Sequence, residues 1–228
     1  MQAAYSISAV TLALMAYYFT IHSEPLHFYF TKKHGEEKAK VSWVFFQRMA
    51  GVFYFGIVPL LIAVSQNLGF EQIGLGIKNK APFWGWVIGL SLLCVFINYF
   101  AAQKDDHLEI YPQVRRPVPW SRSLTFSSSL TLVLYTLAYE TMFRGYLLFT
   151  CAGEMGAAPA IAVNTSIYAL VHLPKGWKET VGAIPMGIVL CWLTLKTGNI
   201  WTAVAVHVAL ALSSEWFSLF FHGKKMNG

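Results

Sequence analysis

An all-α polytopic membrane bundle is predicted by three features of this chain. Of its 228 residues, 56% are hydrophobic and only 12% are charged, about half the charge of a soluble globular chain, in which roughly 25% is usual. The apolar residues gather into runs of bilayer-spanning length, about 17–25 residues. The basic residues fall between those runs, concentrated in alternate connections, as membrane topology requires.

About seven spans follow, at 4–22, 42–65, 82–102, 124–151, 157–173, 180–196 and 199–221. The first begins MQAAYSIS, with no positive n-region before it and no small-residue cleavage site after it, so it reads as a retained span rather than a signal peptide. Lys32, Lys33, Lys38 and Lys40 follow the first span, and Lys104, Arg115, Arg116 and Arg122 follow the third. Lys175 and Lys178 follow the fifth, and Lys224 and Lys225 the seventh. That makes twelve basic residues on one side against Lys78, Lys80 and Lys196 on the other. The bias predicts an outside N-terminus and a cytoplasmic C-terminus, with a prokaryotic inner membrane as the simplest location.

The connection from Phe70 to Lys80 mixes Phe, Ile and Leu with Gly and Lys, and reads as a short interfacial helix or a turn. Between Lys104 and Arg122, Pro112, Pro117 and Pro119 disfavour a continuous helix, and Trp120 beside Arg122 is placed to anchor the fourth span at the interface. The chain therefore divides into N-terminal helices and cytoplasmic loops (1–119), a C-terminal four-helix core (120–221) and a cytoplasmic tail (222–228). The net charge of +6 does not form a basic stripe interleaved with exposed aromatics, so no nucleic-acid partner is expected; the surrounding lipids are. Cys94, Cys151 and Cys191 lie in or at the ends of apolar runs without paired or metal-ligand spacing, and read as small buried apolar residues.

Within the core, Glu140 and Arg144 interrupt the fourth span, His172 stands near the end of the fifth and His207 lies inside the seventh. A charge at bilayer depth costs about 2.5–3.5 kcal/mol on insertion scales, so such residues usually serve function. Four residues apart, Glu140 and Arg144 share a helix face and can pair. That pairing alone would make both charges tolerable, and an arginine that fully occupies a carboxylate makes it a poorer base.

The histidines point further. Glu140 and His172 both lie 16 residues from Gly156, at the turn of the hairpin formed by the fourth and fifth spans, so they are expected at one depth. His207 lies nine residues past Gly198, which at about 1.5 Å per residue leaves it on the order of 10 Å from His172 in depth. A tilt, a break or an uneven loop has to bring it in. A carboxylate with two imidazoles is the equipment for activating water. Gly145, Gly182 and Gly187 would let helices pack or bend around a water-filled cavity.

Other polar residues receive simpler readings. Arg48 near the end of the second span is expected to snorkel, and Glu215 to reach the interface or face the site. Tyr135 and Trp192 read as packing residues. His22, His27, His34, His107 and His222 sit at span ends or in loops without ligand spacing.

At these positions the chain resembles the CAAX protease and bacteriocin-processing (CPBP) family of intramembrane glutamate-dependent endopeptidases. The family's first motif is a pair of glutamates, three residues and an arginine, commonly followed by glycine; here the stretch is Tyr139, Glu140, Thr141, Met142, Phe143, Arg144 and Gly145. Its second motif sets an aromatic residue four before a histidine, here Tyr168 and His172. Its third sets an asparagine or aspartate four after a histidine, here Ala211 after His207. The resemblance covers about 120–221 and marks a divergent member, with Tyr139 and Ala211 as its departures.

The resemblance implies peptide-bond hydrolysis of a protein or peptide substrate near the membrane surface, the substrate lipidated in some members. Glu140, assisted by His172, would deprotonate water, and His207 would stabilise the oxyanion or protonate the leaving amine. Arg144 would hold Glu140, with Tyr139, Tyr168 and Asn164 in support. Asn164, Ser213 or Ser214 would have to supply the donor that Ala211 lacks. No cofactor is implied. A zinc variant on Glu140, His172 and His207 stays open on ligand types, although no pair has the close spacing of HExxH. A membrane scaffold or chaperone that keeps the cavity without the chemistry is the alternative Tyr139 and Ala211 raise. A small transporter using Glu140 and the histidines as a proton relay is a third class, without the paired broken-helix halves such folds carry.

Overall fold

The computed structural model describes residues 1–76 and 84–227, the last four as backbone only, and all regular structure among them is helical. Lys78, Lys80 and the first two residues of the predicted third span lie outside the described residues. The elements are α1 (Gln2–Ile21), α2 (Glu24–His34), α3 (Glu36–Gly51), α4 (Val58–Ser65), α5 (Trp84–Ala101), α6 (Asp105–Ile110), α7 (Arg122–Glu140), α8 (Leu148–Met155), α9 (Ala157–Leu170), α10 (Trp177–Thr197) and α11 (Trp201–Asn227). Two π-helical turns, Val52–Ile57 and Thr141–Leu147, join α3 to α4 and α7 to α8 as continuous rods.

Among the described residues five helices, rather than seven, are long and apolar enough to cross a bilayer: Gln2–Ile21, Glu36–Ser65, Trp84–Ala101, Trp177–Thr197 and Trp201–Gly223. The other two predicted spans fall short for different reasons. The rod 122–155 has the length, but Ser127, Ser128, Ser129, Thr131, Thr136, Glu140 and Arg144 lower its hydropathy. Other helices cover much of that polarity, since Ser128, Thr136 and every residue from Ala138 to Leu148 are buried. The helix after it stops at Leu170, because Leu173-Pro174 starts a 3₁₀ turn that ends at Gly176. Around this polar interior the outer helices turn large apolar side chains outward. Leu92, Leu93, Phe96, Ile97 and Phe100 of α5 are exposed, as are Leu12, Met15 and Phe19 of α1. A soluble monomer rarely carries such continuous apolar surface; this is the lipid-facing coat of an integral membrane protein.

The predicted cytoplasmic loop after the first span contains a helix that spacing did not indicate. Ser23 caps α2 by accepting from the Leu26 N–H at 3.5 Å, and Glu24 and the Lys32–Lys33–His34 end complement the helix dipole. Phe30 packs on Trp43 and Phe46 of α3, with ring centroids 5.4 and 5.0 Å apart, while Phe28 and Tyr29 stay exposed. At 11 residues it is too short to cross and suits the membrane interface.

Three features set the core. After the proline-rich stretch, Ser121 restarts the chain as α7 by accepting from the Leu124 N–H at 3.2 Å. Glycines then permit close approach: a Cβ on Gly51 would lie 2.2 Å from the Tyr135 ring, and one on Gly145 3.0 Å from the Ile73 carbonyl oxygen. Gly187 is also tight, against Thr165, whereas Gly182, expected to ease packing, faces open space. Finally, Gly156 (φ 84°) and Gly198 (φ 68°) turn the chain back at the ends of α8 and α10, in the left-handed region that glycine adopts freely. The turns let α9 pack on α8 and α10, and α11 on α5 and α7.

Two expectations for charged residues are corrected here. Arg48 does not snorkel, and Glu215 does not reach the interface: they are 3% and 2% exposed and pair at 2.9 Å. Arg48 also donates to the Ser128 carbonyl oxygen at 2.7 Å and to Gln113 Oε1, and the Ser128 hydroxyl donates to Glu215 Oε2 at 3.0 Å. The cluster ties α3, α7, α11 and the 111–116 loop together. A buried pair with hydrogen bonds to most of its polar atoms is how such charges persist away from water.

Candidate functional site

The π turn Thr141–Leu147 sits where the C-terminal helices converge, and it shapes the site. A π turn adds a residue to the helix and displaces its backbone hydrogen bonds. Here the Phe143 carbonyl accepts from the Asn164 side-chain amide of α9 at 2.6 Å, and Asn164 Oδ1 accepts from the Cys191 thiol of α10 at 3.2 Å. Asn164 is fully buried, so the contact is a clamp on the turn that carries Arg144 and follows Glu140. Its replacement by alanine removes two buried side-chain hydrogen bonds, to the Phe143 carbonyl and from the Cys191 thiol, at about 0.5–1.5 kcal/mol each. Asn164→Ala is therefore expected to lower the unfolding midpoint in detergent measurably; an unchanged midpoint would show the clamp to be dispensable.

Glu140 and Arg144 are both fully buried, and Arg144 Nη1 lies 3.3 Å from Glu140 Oε1. The same oxygen receives His207 Nδ1 at 2.5 Å. A carboxylate only accepts, so the imidazole donates through Nδ1. His207 thus overcomes the depth offset expected from straight helices: the Gly198–Ile200 turn packs inward, the Ile200 N–H donating to the Gly74 carbonyl at 2.9 Å, and α11 begins at Trp201.

His172 is joined to the group through Tyr168. Its Nδ1 donates to the Tyr168 carbonyl at 2.7 Å, which leaves Nε2 as an acceptor. The Tyr168 ring lies 4.7 Å from the His172 ring and 6.4 Å from that of His207, and the Arg144 guanidinium stacks over it at 4.1 Å. Cation–π stacking suits a guanidinium that is weakly hydrated and buried. Among the described residues no hydrogen bond or ion pair joins His172 to Glu140; the Tyr168 ring borders both His172 and the arginine that pairs with Glu140. Just beyond, Lys175 reaches the Tyr111 hydroxyl at 3.1 Å and Glu179 at 3.5 Å. Burial disfavours its ammonium, but Tyr111 and Glu179 outweigh that and hold it protonated above the usual lysine range.

Tyr139 completes the cluster, with its ring 5.8 Å from both His207 and Tyr168 and edge-on to His207. Four buried polar groups here have no protein partner: Tyr139 Oη, Glu140 Oε2, and Nε and Nη2 of Arg144. Unpaired buried groups are costly and call for an explanation.

The donors expected to replace the missing polar side chain at Ala211 are engaged elsewhere. Asn164 holds the π turn; the Ser213 hydroxyl accepts from Asn98 at 2.8 Å, and that of Ser214 meets His107 Nε2 at 3.2 Å. As for a metal, no three His, Cys, Asp or Glu side chains gather as a ligand set among the described residues, and Glu140 Oε1 is already shared between Arg144 and His207.

Residues 121–213 match the family model of type II CAAX prenyl endopeptidase Rce1-like proteins. The matched stretch runs from the cap of α7 to the middle of α11 and holds Glu140, Arg144, Tyr168, His172 and His207. The resemblance read from the three motifs is thereby borne out. No curated protein and no solved structure matches the chain.

Proposed function

We propose, on the premise that 121–213 is an Rce1-like core, that the chain is an intramembrane endopeptidase hydrolysing a peptide bond near the membrane surface with water activated by Glu140. One observation carries this reading. The Glu140 carboxylate is fully buried with one oxygen fixed by Arg144 and His207, while the other, Oε2, has no protein partner. A base held on one side and left without a protein partner on the other is what water activation needs.

In this reading Oε2 takes a proton as the water oxygen bonds to the scissile carbonyl carbon. His172 Nε2 accepts a hydrogen bond from the water's other O–H, which stays on the oxygen, and orients the attack. As the tetrahedral intermediate collapses and the C–N bond breaks, the proton on Glu140 passes to the leaving amine. His207 keeps the carboxylate oriented, and Arg144 balances its charge in a medium that screens little. No metal takes part. The prenyl endopeptidase match supports a lipidated protein as substrate. The excess of basic residues in alternate connections supports an outside N-terminus and a cytoplasmic C-terminus, with the His172 end of the core toward the cytoplasm.

A second reading, a scaffold or chaperone that keeps the cavity without the chemistry, is favoured by Tyr139 and Ala211 at motif positions. Detergent-purified protein offered prenylated and unprenylated peptides separates the two. Cleavage is expected to survive chelator and to fall about 10²–10⁴-fold in His172→Ala. A folded wild type that cleaves neither peptide class would leave the scaffold standing.

A further inference from the structure

We propose that the Tyr139 hydroxyl is the oxyanion donor of this site, doing the work of the polar side chain that Ala211 lacks. The inference rests on the proteolytic reading above and assigns a role to the residue that departs most from the family's first motif.

Three observations carry it. The hydroxyl is a buried donor without a protein partner, on a side chain only 6% exposed. Its ring is held by Phe55 at 5.8 Å and Phe143 at 4.6 Å, and meets Tyr168 and His207, the two rings that border His172 and Glu140. A phenol so packed keeps its direction without reorganising, which gives a donor its value when charge develops in a dry site. Third, Asn164, Ser213 and Ser214 are committed to other partners. Arg144 also has unpartnered N–H groups, but its guanidinium is committed to stacking on Tyr168 and to balancing Glu140. If packing alone explained Tyr139, phenylalanine would fill the same space and strand no hydroxyl.

The chemistry balances without consuming the tyrosine. When the water oxygen bonds to the carbonyl carbon, the C=O π pair moves onto oxygen, and the phenol O–H hydrogen-bonds that oxyanion while keeping its proton. The pair returns as the C–N bond breaks, and the amine leaves with the proton carried by Glu140.

The test compares wild type, Tyr139→Phe and Tyr139→Phe/Ala211→Asn in detergent, on one peptide that the wild type cleaves. Loss of an oxyanion donor typically lowers kcat by about 10²–10³. Tyr139→Phe is expected to show that loss with KM within about twofold and an unfolding midpoint no lower than wild type, whereas a packing role, which phenylalanine would fill, would leave kcat at the wild-type value. Asparagine at 211, one turn beyond His207, is expected to return part of the rate, identifying the lost function as hydrogen-bond donation. A Tyr139→Phe enzyme as fast as wild type, or a double variant no faster than Tyr139→Phe, overturns the inference and leaves proteolysis intact. Wild-type protein that cleaves nothing brings down the proteolytic reading itself, and this inference with it.

Discussion

Glu140→Gln is expected to lose both cleavage and stability, and Glu140→Gln/Arg144→Met to recover the stability alone. The amide cannot accept a proton from water, so kcat should fall about 10²–10⁴-fold, the usual contribution of a positioned base. Arg144, however, is fully buried and paired with Glu140. Removing one partner of a buried pair leaves an uncompensated charge, at about 3–5 kcal/mol. The single variant therefore confuses two effects, and lost activity could be put down to unfolding. Methionine is similar in length, carries no charge and can still pack against the Tyr168 ring. The double variant should unfold near the wild-type midpoint in detergent and still cleave nothing. If it cleaves as wild type does, Glu140 is only the counter-ion of Arg144 and the proposed chemistry fails.

What the sequence reveals about this core, and what it hides, follows from the range of each interaction. Glu140 and Arg144 are legible because a helix repeats every 3.6 residues and brings i and i+4 together. Tyr168 and His172 are legible for the same reason, and the observed contact runs from ring to backbone within one turn. His207 is harder. Its distance along the chain predicts a depth mismatch, and the contacts that precede α11, the Ile200 N–H to the distant Gly74 carbonyl and the Trp201 N–H to Asn199 Oδ1, are not in that distance. The π turn is invisible to periodicity because TMFRGYL has ordinary helical composition; the Asn164 amide that donates to the Phe143 carbonyl belongs to another helix. Asn164 is legible as a polar residue in an apolar run, but not as a clamp.

The N-terminal half shows the same division. Span positions follow from apolar run length, and their ends agree with the helices to within a few residues in most cases. The helix α2 escapes that reading because its stability comes from packing Phe30 between Trp43 and Phe46, a tertiary contact. The rod 122–155 shows the converse. Its hydroxyl groups are affordable because other helices cover them, so hydropathy understates a helix that the bundle encloses.

Arg48 and Glu215 are 167 residues apart, beyond any local rule, and their pairing leads to the largest expected stability effect away from the site. Arg48→Met should lower stability by about 3–5 kcal/mol, because Glu215 would remain charged and buried with only Ser128 to answer it. Glu215→Leu should cost a similar amount for the opposite reason, leaving a guanidinium in place. The double variant Arg48→Met/Glu215→Leu should cost far less than the sum, since replacing a buried ion pair by apolar groups of similar volume is often neutral or stabilising. Chemical denaturation in mixed micelles, read as a double-mutant cycle, measures that coupling directly. The cluster touches none of Glu140, His172 or His207 among its hydrogen bonds, so the double variant should also keep wild-type kcat on any peptide the protein cleaves. Additive losses would mean that the two charges are solvated independently and that the pair does not join α3 to α11. A folded double variant with lost cleavage would instead connect this cluster to the Glu140 site.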